Sequence, residues 1–208
     1  NLGKTNASTF TDDQHKDTKV DYIMANPTFN LKKWREEDEL VGDYRWSGYC
    51  GKQNAPRVSN ANYAWILHMI SKLDVNHGIA GFLLANGALG DMDDYEIRKN
   101  ILLKDKVEAI IVLPRDMFYT TDISVTLWII NMNKCAGTVN DRKVRDRQHK
   151  VLFMDLRTWD SNIEEITIDK GKKKKKTVLT DSQIAKIKEV YNNWQRPDRA
   201  HYKNVPEL

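Results

Sequence analysis

Cysteine is scarce in this chain: Cys50 and Cys135 are the two among 208 residues. Two isolated cysteines supply neither a disulfide framework nor the ligand spacing of a zinc site, so no metal is expected, and they fit a reducing, cytoplasmic setting. Long hydrophobic runs are missing too. No apolar stretch approaches the roughly 20 residues that cross a bilayer, so no membrane partner is expected. The opening residues carry no signal-peptide pattern and begin at Asn1 rather than Met, which predicts a piece of something longer. Net charge is only +4, and no internal repeat is visible.

The positive charge that is present is bunched. Arg142, Lys143, Arg145, Arg147 and Lys150 lie close together, and Lys172 to Lys176 are consecutive. Such clusters are compatible with a polyanion, because each neutralised phosphate releases counterions. The five lysines read equally as a solvated loop tip. Apart from these clusters the composition is that of an ordinary soluble domain, long enough to bury a core.

The apolar pattern divides the chain. Residues 1–18 are polar and patternless. Val20 to Ala25 reads as a buried strand, and residues 31–56 form a long aperiodic loop of the kind that usually serves function. Tyr63, Trp65, Ile66, Met69, Ile70 and Leu73 make a helical stripe, with Asn60 or Asn62 as its cap. Gly78–Ala85, Val107–Leu113 and Ser124–Met132 are further continuous apolar strands, with a helix over Glu96–Lys104. Alternating strands and helices argue an α/β fold with a mostly parallel sheet covered on both faces. About ten residues join the last two of these strands, too few for a crossover, so that pair is expected to be antiparallel. After a basic stretch come a strand at Val151–Leu156 and a short extended piece near Ile166–Ile168. Last is an amphipathic helix opened by the capping-box pattern Thr180-Asp-Ser-Gln183, carrying Ile184, Ile187, Tyr191 and Trp194, and stopped by Pro197.

The first of these strands ends in Asn26-Pro27-Thr28-Phe29. Asn26 offers a side-chain oxygen as acceptor, Pro27 stiffens the backbone without a competing N–H, and Phe29 offers a flat apolar face for a base. Together they suit an exocyclic amine held for chemistry. By itself the tetrapeptide also fits a strand that ends in an Asn-Pro turn with a packed Phe.

Further segments add context. They are Asp-Tyr-Ile-Met-Ala-Asn-Pro-Thr-Phe-Asn at 21–30, Asn-Ala-Asn-Tyr-Ala-Trp at 60–65, Ala-Gly-Phe-Leu-Leu-Ala-Asn-Gly at 80–87, Glu-Ile-Arg-Lys-Asn at 96–100, Leu-Pro-Arg-Asp-Met-Phe-Tyr-Thr-Thr at 113–121, and Leu-Thr-Asp at the start of the final helix. In this order, over about residues 20–195, the chain resembles the modification (methyltransferase) subunit of type I restriction–modification systems, an adenine-N6 DNA methyltransferase. The resemblance implies the second half of a Rossmann-like S-adenosylmethionine-dependent sheet, with strands four, five and six and a reversed seventh. Residues 1–134 would be a partial catalytic domain, the target-base half. Residues 135–208 would carry the basic loop, a strand, the lysine-rich loop and the C-terminal helix. The family's glycine-rich cofactor loop precedes the fourth strand, and residues 1–20 contain no Gly-x-Gly. The fragment is therefore expected to be inactive alone.

By resemblance, Asn26 and Pro27 accept the two N–H bonds of a flipped adenine's N6 amine and Phe29 stacks on the base. Phe118 and Tyr119 fall where the family has a second aromatic wall, and core packing is the alternative for both. His68 is read as a packed core histidine. The implied partners are DNA and the specificity and restriction subunits of a type I complex. Thr28 stands where the family normally has a second proline and Ser124 where a proline is expected before the seventh strand; the first change predicts weaker placement of the base. Two rival readings are a catalytically inactive DNA-binding or assembly module of the same system, and a protein-glutamine methyltransferase, which shares an Asn-Pro-Pro-aromatic motif.

Overall fold

A computed structural model describes residues 8–118, 122–167 and 171–198. A five-stranded sheet forms its centre. The strands are β1 (Tyr22–Ala25), β2 (Ile79–Ala85), β3 (Val107–Val112), β4 (Val125–Asn131) and β7 (Leu152–Asp155), with β5 (Gly137–Val139) and β6 (Arg142–Val144) as a separate small hairpin. In space the order is β1-β2-β4-β3-β7. β1 pairs with β2 in parallel and β3 with β7 in parallel, while β4 runs against both β2 and β3. The expected reversed strand is thus β4, inserted between β2 and β3. β7 extends the sheet past the strands that the resemblance supplied, joining residues 135–208 to the same sheet.

Alternate residues of each strand face opposite layers. On one side Ala80, Phe82, Leu84, Ile110, Trp128 and Ile130 pack against α1 (Asn62–Lys72), α2 (Tyr95–Leu103) and the Phe10–Trp34–Trp46 group. On the other, Ala109, Ile111, Val125 and Met154 pack against Val190 and Trp194 of α3 (Asp181–Gln195). Thr180 caps α3 as its sequence indicates: its hydroxyl accepts from the Gln183 N–H at 3.2 Å, and its own N–H donates to the Gln183 side chain at 2.9 Å.

Four sequence expectations change. β1 is not a buried strand: it lies at the sheet edge, with Tyr22 66% and Met24 96% exposed. Only the alternate residues Ile23 and Ala25 pack against the core. The 31–56 stretch is largely structural, because two 3₁₀ turns drive Trp46 and Cys50 into the core beside Trp34. The lysine run is not a loop tip. Lys173–Thr177 is a strand, β9, paired antiparallel with β8 (Ile163–Thr167). In the other basic cluster, Arg145 and Arg147 are buried, with Arg147 Nε donating to Glu108 Oε1 at 2.8 Å, so neither faces a polyanion. His68 packs as expected: it is buried, accepts from Arg45 at 3.2 Å, and desolvation pushes its pKa down to about 4.

Candidate target-base site

The carboxyl ends of β1, β2, β3 and β7 gather at one edge of the sheet, where open α/β sheets bind ligands. The chain leaves β1 through Asn26 and Pro27 and reaches Asn30, whose φ of 52° is left-handed. Asn tolerates this conformation better than most residues. Two further asparagines fix it. Asn30 N–H donates to Asn62 Oδ1 at 3.0 Å, while Asn30 Oδ1 accepts from Asn62 Nδ2 at 2.8 Å and from Asn60 Nδ2 at 3.2 Å. Neither asparagine is the N-cap of α1, which is Ala61 and has no side-chain cap. Asn60 Oδ1 accepts from the Asn62 N–H at 2.9 Å, and the Asn62 side chain serves the loop.

Within this pinned turn, Asn26 is exposed, and its side chain has no hydrogen-bond partner among the described residues. Pro27 is half-buried. Phe29 is half-buried against the α3-side core, edge-to-face with Phe118 at 6.1 Å between centroids and 88° between planes. The two rings thus form one corner, although they come from loops after different strands. Tyr119 lies outside the described residues.

Beside this corner is a cleft of about 560 Å³ that begins at Asn30 and is lined by Asn86, Gly87, Arg115, Ser124 and Arg157, among others. Asn26, Pro27 and Phe29 do not line it. Asn86 is oriented by buried Thr126, whose hydroxyl donates to Asn86 Oδ1 at 3.0 Å. Arg157 is held by Asp155 at 2.5 Å, and this bond keeps the Asp155 carboxyl below its ordinary range. Among the described residues no group of three or more His, Cys, Asp and Glu is placed to hold a metal ion. The chemistry available here is positional: oxygen acceptors, amide groups and aromatic faces, with two guanidinium groups alongside.

Asn86, Arg115, Arg157 and the anchoring role of Asn62 were not found by sequence reasoning. A signal existed for Asn86, since Asn86-Gly87 follows directly on a buried strand. For Arg115 and Arg157 none did, because an arginine after a strand is ordinary. Among the described residues no strand precedes β1, and residues 8–20 contain no glycine.

Comparison with known proteins identifies the relatives of the chain and of its fold. The chain is 38% identical over 199 residues to the type I restriction enzyme HindI methylase subunit of Haemophilus influenzae, covering 95% of this chain and 39% of that protein. It is 33% identical over 186 residues to the type I restriction enzyme MjaIX methylase subunit of Methanocaldococcus jannaschii, covering 88% and 30%. A crystal structure of the type I restriction–modification methyltransferase subunit from Streptococcus thermophilus matches with TM-score 0.71 at 26% identity, over 91% of this chain and 35% of that one. The EcoKI M protein shares the fold, with TM-score 0.53 at 18% identity over 89% and 33%. The chain therefore spans well under half the length of these relatives. Its residues 1–207 match the family described as N-6 DNA Methylase, and the chain belongs to that family.

Proposed function

We propose that this chain is the target-base half of an adenine-N6 DNA methyltransferase subunit of a type I restriction–modification system. One observation carries the reading: the unpartnered Asn26 side chain stands at the carboxyl end of β1, two residues before the Phe29 ring that meets Phe118. An adenine amine is a poor nucleophile because its lone pair is conjugated with the ring. Acceptance of both N–H bonds by Asn26 Oδ1 and the Pro27 carbonyl favours a pyramidal nitrogen with its lone pair free to react. Phe29 stacks on the extruded base and offsets part of the few kcal/mol that unstacking costs. Phe118 backs Phe29, and Tyr119 is assigned to the same wall by resemblance.

S-adenosylmethionine would supply the methyl group in the full-length subunit. The glycine-rich loop that would hold it is assigned to a part of such a subunit outside these residues. Residues 1–134 are read as the catalytic portion, and residues 135–208 add the basic β5–β6 hairpin, β7 of the same sheet, the lysine-bearing hairpin and α3. The relatives are named as methylase subunits of type I restriction enzymes and the family as a DNA methylase, which supports DNA and further subunits of such an enzyme as partners. The specificity and restriction subunits are the ones proposed here. Thr28 favours a second reading, an assembly module that has lost catalysis, because it removes the stiffening second proline. Transfer of label from S-adenosylmethionine to duplex DNA by the full-length subunit separates the two. Incorporation at adenine N6 supports the enzyme, and intact DNA binding without incorporation supports the module.

A further inference from the structure

The hairpin of β8 and β9 is an unusual use of lysine. Over 163–167 and 171–177 the five lysines, Lys172 to Lys176, outnumber Glu164 and Glu165 by three charges, and Lys173 and Lys174 lie opposite Thr167 and Ile166. Cross-strand register makes the strand viable: Glu165 lies opposite Lys175 and Glu164 opposite Lys176, and Glu165 also reaches Lys173 at 2.7 Å. Opposite charges in register stabilise a pair, and alternation of faces separates neighbouring lysines. Lys172, Lys173 and Lys175 remain exposed.

The hairpin is also tied to the target-base site. Thr177 N–H donates to the Asp116 carbonyl at 2.9 Å, and Lys174 pairs with Asp122 at 2.5 Å. Asp116 follows Arg115 and Asp122 precedes Ile123, both of which line the cleft. The two anchors therefore flank the loop that carries Phe118.

We propose that this hairpin is a DNA-backbone clamp, in which Lys172, Lys173 and Lys175 contact phosphates flanking the flipped adenine. The inference rests on the DNA reading above and adds a surface to it. Surface pairs such as Lys173–Glu165 are weak, so a phosphate can replace the glutamate readily. Lys173 and Lys175 share one face of β9, and Lys172 leads into the strand. Lys174 holds the hairpin to the Phe118 loop, so DNA bound along these lysines lies beside the base site.

The test uses the full-length subunit and duplex DNA titrated at several salt concentrations. Replacing Lys172, Lys173 and Lys175 together by Ala should flatten log K against log salt by about 2–3 units, since each phosphate contact contributes about 0.9. Replacing Glu164 and Glu165 by Gln should act in the opposite direction and tighten binding, while Lys186→Ala with Lys188→Ala on α3 should leave the slope as it was. An unchanged slope in the triple variant overturns the clamp. So does parental DNA affinity accompanied by loss of assembly with another subunit, which would make the hairpin a protein dock. Methylation by the parent is measured alongside: a parent that binds DNA without methylating it refutes the catalytic reading while the slope still decides the clamp, and a parent without DNA affinity overturns both.

Discussion

Asn30 and Asn62 hold each other twice, N–H to Oδ1 at 3.0 Å and Nδ2 to Oδ1 at 2.8 Å, across 32 residues of chain. The pair locks the left-handed residue that closes the Asn26–Phe29 turn onto the start of α1. Asn62→Ala removes both bonds and leaves the Asn30 N–H without its acceptor. We expect a loss of about 1–3 kcal/mol in unfolding free energy and a fall in methylation rate of roughly tenfold or more through misplacement of the turn. Asn62→Asp keeps the acceptor and should fall between parent and Ala. Chemical denaturation and single-turnover methylation of the full-length subunit measure both effects. A destabilised variant with parental turnover would show that the pair braces the fold without aiming the site.

Thr28 is exposed between the acceptor and the ring. Thr28→Pro fixes φ and removes an N–H, so the Pro27 carbonyl should be aimed more firmly and the methylation rate should rise. An unchanged rate would mean that the stiffness of this position does not limit chemistry.

His68 predicts a pH dependence of stability. Desolvation, reinforced by the Arg45 cation, lowers its pKa from 6.5 to about 4, although Asp13 and Asp43 oppose the shift. Between those values the unfolded chain binds a proton that the folded chain refuses. The contribution is therefore fully present above about pH 6.5 and is lost as pH falls toward 4, at up to ~1.4 kcal/mol per pH unit. His68→Gln keeps an acceptor for Arg45 and should flatten this part of the stability curve. Urea titrations from pH 7 to 4.5 would show it, and equal slopes for parent and variant would contradict it.

Arg147 and Glu108 are a buried pair, 1% and 0% exposed, with Gln195 of α3 also donating to Glu108 at 3.2 Å. Arg147→Met leaves Glu108 buried without its cation and should cost about 3–5 kcal/mol. Replacing Glu108 by Leu in the same chain should recover most of that loss. Thermal melts of the single and double variants decide the matter, and additive losses would argue against a coupled pair.

The elements that were legible in sequence are those whose apolar residues follow a period. β2, β3, β4 and α1 emerge within a residue or two of their observed bounds, and the antiparallel joint of β3 and β4 follows from the short link between them. What stayed hidden depends on partners far away in the chain. Arg147 reads as surface charge until Glu108, 39 residues earlier, is seen beside it. Five lysines read as a loop until Glu164 and Glu165 are placed opposite. Trp34 and Trp46 follow no period because turns, not a helix, carry them inward. In the site, the motif residues were visible from composition and order, whereas Asn62 looked like a helix cap until its side chain was seen to hold Asn30.

The most direct test of the target-base assignment is Asn26→Ala in the full-length subunit, read by single-turnover transfer of labelled methyl to duplex DNA with DNA affinity measured in parallel. The account predicts a rate reduced on the order of 10²–10³-fold, as for loss of one aligned hydrogen-bonding group in a transition state, with DNA affinity kept. Methylation at the parental rate would contradict it.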